Sequence, residues 1–119
     1  MSKREHHATT RIVDARFEIF FRDQRVAASE QAIELREYYR GRELAPVYYF
    51  APELLADLDA RESRHSTFCP IKGETRYWHF ADRDNAIWSY PDPLAGVAAI
   101  RGRVAFDAAS GFRIERGDA

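Results

Sequence analysis

The sequence predicts a mainly β chain, a β-rich α+β domain arranged as a compact antiparallel sheet or small barrel with two short helices. Three observations lead there. Short segments alternate apolar and polar residues along much of the chain, as half-buried strands do. Turn signals separate them at hairpin distances: Arg22-Asp23-Gln24, Ala81-Asp82-Arg83-Asp84 and Ser110-Gly111. Only two segments, led by Pro52 and Pro93, carry helix-start signals. Strands that follow one another with few helices between them pair mostly antiparallel.

Taken in order, residues 1–10 are polar and charged, which predicts a disordered tail ahead of a single globular domain over residues 11–117. His6 and His7 fall in that tail, where disorder outweighs metal binding. Phe17, Ile19 and Phe21 share one strand face, and Val26-Ala27-Ala28 returns as the hairpin partner. Ala32 to Arg36 alternates again, burying Ile33 and Leu35 and turning Glu34 and Arg36 to water. A helix over Glu30 to Tyr39 is the rival reading, because the segment contains good helix formers. Val47-Tyr48-Tyr49-Phe50 is wholly apolar or aromatic, as a strand covered on both faces would be. Pro52 opens a short helix with Leu54, Leu55 and Leu58 inward. Pro70-Ile71-Lys72-Gly73 is a turn, since Pro fixes φ and Gly permits positive φ. Thr75–Phe80 and Ala86–Trp88 form a second hairpin. Asp92 is placed to cap a helix starting at Pro93 and ending at Gly102. Val104 with Phe106, and Phe112 with Ile114, mark the last strands.

Composition narrows the function classes. The 119 residues are 45% hydrophobic and 13% aromatic, enough for one core. Eighteen basic against nineteen acidic residues leave a net charge of −1. That balance gives no footprint for nucleic acid or an anionic membrane, so neither partner is expected. One cysteine forms no intrachain disulfide and no multi-cysteine zinc site. No stretch approaches the ~20 apolar residues of a membrane span, and the start has no apolar signal core. The expectation is a cytoplasmic protein with no cofactor and no metal site.

The segment Thr67-Phe68-Cys69-Pro70-Ile71-Lys72-Gly73 holds that cysteine and the only lysine besides Lys3. If Thr75–Phe80 pairs with Ala86–Trp88, the turn after Cys69 and the exit Ser89-Tyr90-Pro91 lie at the same end of the hairpin. Cys69, Lys72, Trp88 and Tyr90 then border one aromatic-walled cleft, the usual build of a small-ligand site. Cys69 is the candidate nucleophile, which requires a thiolate; against it stands burial as a small hydrophobe. Lys72 is the second catalytic candidate, as an amine or as a point charge for an anion, against a solvated turn lysine. Asn85 has an amide able to donate and accept, against a local turn bond. Trp78 and Trp88 read as core before ligand platform, and His65 and His79 as surface or core histidines before general bases.

These residues resemble a family. Val47-Tyr48-Tyr49-Phe50-Ala51-Pro52, Thr67 to Gly73, Tyr77-Trp78, Asn85 to Pro93 and Ile100 to Phe106 are similar, block by block and in order, to domain-of-unknown-function family 427. The resemblance runs from about Phe17 to Ile114. Glu37 to Leu44 is longer and more charged than the family pattern, and Asp107 stands where an aromatic is usual. The resemblance implies a small β-rich domain of tent-like sheet type without zinc ligands. It also implies a site at Tyr49, Cys69, Lys72, Tyr77, Asn85, Trp88 and Tyr90. The family's nucleotidyltransferase-like label is not a mechanism. Nucleotidyl transfer wants paired carboxylates on Mg²⁺, and the nearest pairs are Asp57 with Asp59 and Asp82 with Asp84.

The function expected is binding of a small anionic or nucleotide-like molecule in that cleft, with enzymatic turnover left open. The ligand contacts expected are Tyr49, Lys72, Tyr77, Asn85, Trp88 and Tyr90. The alternative is a non-catalytic interaction module that self-associates as a homodimer.

Overall fold

The computed structural model describes residues 6–117. It is built from eleven strands and short 3₁₀ helices. The first two strands, β1 (His6–Phe21) and β2 (Gln24–Tyr39), form a hairpin of sixteen-residue arms. Their loop, Arg22-Asp23, has both residues at positive φ (48° and 69°), the turn whose twist suits a two-residue hairpin. Sixteen straight residues would span about 50 Å, and the molecule's longest dimension is 43 Å. The hairpin therefore bends, and register shifts after Asp14 and Ile19 mark where.

β2 pairs on its far edge with β3 (Arg42–Glu43) and β4 (Val47–Tyr49), while β11 (Phe112–Gly117) pairs with β1. A second sheet runs β10 (Val104–Phe106), β9 (Arg83–Ser89), β8 (Arg76–Phe80), β5 (Ala60–Glu62). β6 (Phe68–Cys69) and β7 (Gly73–Glu74) make a minimal hairpin beside it. Every strand pairing within the sheets is antiparallel. The sheets join at one backbone pair: Phe50 and Val104 exchange bonds of 2.8 and 2.9 Å.

Two interiors result. Phe17, Ile19, Phe21, Phe50, Ile87, Val104, Phe106 and Phe112 fill the first. Its rings meet at tilted and edge-on angles, as between Phe17 and Phe50 or Phe106 and Phe112. Ile33, Leu35, Tyr49, Tyr90, Val97, Ile100 and Ala105 fill the second. β4 and β10 serve both, because successive side chains on a strand face opposite ways: Tyr48 and Phe50 turn to one interior, Tyr49 to the other. That is the two-sided burial predicted for this segment. The two proline-led segments become 3₁₀ helices at Pro52–Asp57 and Ala95–Ile100.

Three expectations are corrected. The tail expected over residues 1–10 is strand from His6 onward, with His6 opposite Tyr39 and Thr10 opposite Leu35; residues 1–5 lie outside the described part. The second helix is not capped by Asp92. Leu94 precedes it without a side-chain cap, and Asp92 pairs with Arg101 instead. Glu34 does not face water. Its side chain is 1% exposed, under Arg11 (2.9 Å) and Arg36 (3.0 Å), which are themselves 62% and 37% exposed. Tyr48 also donates to it, at 3.3 Å. Burial alone would raise the Glu34 carboxyl, but the two guanidinium hydrogen bonds outweigh it and hold the group below its ordinary value.

Candidate functional site

The Cys69–Gly73 turn does fold against the exit of β9. Lys72 N–H donates to the Cys69 carbonyl at 3.2 Å, and Leu94 N–H donates to the Lys72 carbonyl at 3.0 Å, tying the turn to the segment after Tyr90. Gly73 has φ +116°, and a Cβ there would come within 3.3 Å of the Asp92 carbonyl oxygen. Only glycine therefore makes this approach without strain. Arg76 lies opposite Ser89, which puts the turn and Tyr90 at one end of the β8–β9 hairpin.

Between them is a cavity of about 290 Å³, lined by Val47, Tyr49, Lys72, Tyr77, Asn85, Trp88, Tyr90 and Asp107. All six residues expected as ligand contacts from sequence stand in its wall. β4 supplies Tyr49, β8 Tyr77, β9 Asn85 and Trp88, and the turn Lys72. Cys69 is not part of the lining. Its side chain is half buried and packs against the second interior.

Most acceptors in this wall are already engaged. Trp88 Nε1 donates to the Tyr49 oxygen at 3.2 Å. Asn85 Oδ1 accepts from Ser63 Oγ at 2.5 Å, while its backbone, at φ 52°, sends its N–H to His79 Nδ1. Both Asp107 oxygens serve the following 3₁₀ turn, accepting from Ala109 N–H and Ser110 Oγ. The Tyr77 hydroxyl bonds Thr67 Oγ1 at 2.9 Å, and Thr67 bonds Thr75 in turn. Donors remain: the Asn85 amide N–H₂ and the Tyr49 and Tyr90 hydroxyl protons meet no acceptor among the described residues. Burial pushes the Tyr90 and Tyr49 phenols well up from their ordinary value, so both stay protonated.

Lys72 is the cation of the wall, and Asp107 is its carboxylate. The Lys72 side chain is 13% exposed and its Nζ lies 2.8 Å from Glu37 Oε1. It also sits 5.7 Å from the centre of the Tyr90 ring. Glu37 accepts a second bond, from His6 Nε2 at 2.7 Å. Burial raises the Glu37 carboxyl, but the bonds from Lys72 and His6 outweigh it and the net shift is downward.

A family model described as a domain of unknown function (DUF427) matches residues 9–116. The chain belongs to the DUF427 family. No curated protein matches it. The matched span contains every residue of the cavity wall. The DUF427 domain's carboxylate pairs lie elsewhere. Asp57 ends the first 3₁₀ helix and Asp59 follows it, both exposed; Asp82 is exposed in the β8–β9 turn, where it pairs with Arg22, and Asp84 is exposed at the start of β9. These carboxylates do not line the cavity, so they do not fit a metal-assisted transfer there.

Sequence reasoning did not place Val47, Asp107 or Glu37 at the site. Asp107 carried a signal, as the residue departing from the aromatic expected there. Glu37 opens the stretch that is more charged than the family pattern, but nothing local names its partner, which is thirty-five residues away.

Proposed function

We propose that this DUF427 domain binds a small, acceptor-rich molecule, such as a carboxylate or a phosphate-bearing compound, in the cavity between the Lys72 turn and Tyr90. The observation that carries the reading is the imbalance of the wall: its principal acceptors are consumed by protein donors, and its donors are left over. A bound carbonyl, carboxylate or phosphate oxygen would satisfy them, with Lys72 as a point charge. The volume of about 290 Å³ sits at the lower edge of the range for small-molecule sites, which favours a compact ligand.

A thermal-shift screen against phosphates, nucleotides and small carboxylates tests this, because a ligand of the native state raises stability by mass action, about 2.7 kcal/mol at a hundred times its Kd. Tyr90→Phe and Asn85→Ala each remove one free donor and are expected to weaken the hit about fivefold to tenfold. A screen with no hit at millimolar ligand, or hits indifferent to both substitutions, removes the reading. A nucleophilic Cys69 would show as fast alkylation by a thiol reagent that a cavity ligand blocks.

Self-association is the second reading, supported by apolar side chains at the surface, Phe68 at 70% and Ile12 at 62% exposure. Mass measurement in solution decides it: a monomer at high concentration ends the idea.

A further inference from the structure

The seam between the sheets opens immediately beyond its single bonded pair. In antiparallel pairing, the next bonded pair after Phe50–Val104 would be Tyr48–Phe106. Among the described residues those two exchange no backbone bond. Asp107 N–H continues the β9 pairing, donating to the Ala86 carbonyl at 2.9 Å, and the chain then leaves the sheet in the 3₁₀ turn that Asp107 caps. On the other side, Pro46 leads into β4 with no donor to offer.

The strands therefore part, and a second cavity of about 500 Å³ opens beside the gap. Its lining is mostly apolar, with Tyr48, Phe106, Phe112 and Ile114, while Asp107 and Arg113 supply its charged groups. Val47, Trp88 and Asp107 line both this cavity and the polar one. The Trp88 indole is held in this shared wall by its bond to Tyr49. A donor-rich chamber thus adjoins a larger greasy one.

We propose that the ligand is amphipathic: a carboxylate whose head sits with Lys72, Tyr49 and Asn85, and whose apolar tail of about four or more carbons passes Trp88 into the second cavity. This deepens the reading of the polar cavity as a ligand site and rests on it. The tail would lie against the half-buried Tyr48, Trp88 and Ile114. The head would take the free donors.

The test is titration of the full chain with butanoate, hexanoate and octanoate, followed by ¹⁵N NMR. Affinity is expected to rise about fourfold per added methylene, the factor for moving one such group out of water. The Trp88 indole N–H should shift with every ligand. The Trp78 indole, which lines neither cavity, should stay still. Ala108→Trp and Ala45→Trp place bulk at two exposed positions on the rim of the apolar cavity. Either should flatten the chain-length dependence while leaving butanoate binding unchanged.

A series that binds with equal affinity at all lengths overturns the amphipathic ligand and leaves the polar site standing. Chain-length dependence that survives both tryptophan variants overturns it too, because the tail then lies elsewhere. No binding by any member, in a chain that no phosphate or nucleotide stabilises either, overturns both readings.

Discussion

Replacing Lys72 by Met asks whether the cavity's ammonium also holds the fold together. The Lys72 and Glu37 side chains are 13% and 17% exposed, with nitrogen and oxygen 2.8 Å apart. At an effective dielectric of about 20, two unit charges at that distance attract by roughly 6 kcal/mol. Withdrawing both ions from water costs several kcal/mol each, and most of the attraction is offset. Glu37 also keeps a second partner, His6 at 2.7 Å, when Lys72 is removed. The expected loss is therefore about 2–3 kcal/mol for Lys72→Met, below the ~3–5 kcal/mol of a pair with no relief. Glu37→Gln leaves the ammonium with the Tyr90 ring and should cost about 2–4 kcal/mol. Urea unfolding of the wild type, both singles and the double at pH 7 closes the cycle. A coupling of about 1–3 kcal/mol is expected, and additivity within ~0.5 kcal/mol would refute the reasoning. A pH arm checks the sign. The Glu37 carboxyl lies below its ordinary value of 4.5 in the fold. Its stabilisation is complete above the unfolded value and lost as pH falls through the folded one. Without Lys72 the depression shrinks, so the acid loss should be smaller and should be complete at a higher pH.

Other outcomes follow from the same geometry. Phe17→Ala empties a site of 0% exposure between Tyr48 and Phe50 and should cost about 3–5 kcal/mol in denaturant unfolding; under 1.5 kcal/mol would contradict the packing described. Gly73→Ala meets both positive φ and the Asp92 carbonyl, so the Leu94 amide should exchange with solvent at least tenfold faster; unchanged protection would show that the turn does not depend on glycine. Glu34→Gln removes a carboxylate held below its ordinary 4.5, so the mutant should lose less stability than wild type as pH falls below that value. At pH 7 its cost should be only about 1–2 kcal/mol, since both arginines remain largely in water; an acid limb that superimposes on the wild type would count against the buried pairing.

Much of the strand order was legible because burial on one face writes itself as alternation. Phe17, Ile19 and Phe21 show it, and the Arg22-Asp23 turn sits where the alternation breaks. The cavity wall was legible for a different reason: one hairpin, β8–β9, brings the turn and its exit together by pairing alone. What stayed hidden depends on neighbours that local sequence does not name. Glu34 looks like a water-facing residue until Arg11 and Tyr48 arrive from other strands to cover it. The start of β1 looks like a tail because its apolar content is low, and its order comes from pairing with the far end of β2. Asp92 before Pro93 has the form of a helix cap, yet the Lys72 carbonyl takes the Leu94 N–H and the helix begins later.

β4 faces two interiors, and this constrains how the molecule can tolerate change. Slippage of that strand by a single residue would rotate the Tyr49 phenol into the phenylalanine-rich side and the Phe50 ring into the polar chamber. Both compartments would be spoiled by the same motion, one gaining an unsatisfied hydroxyl and the other losing its donor. Sliding is thus closed to β4 as a way of absorbing insertions, which leaves the exposed stretch from Arg40 to Pro46 to take up any added length.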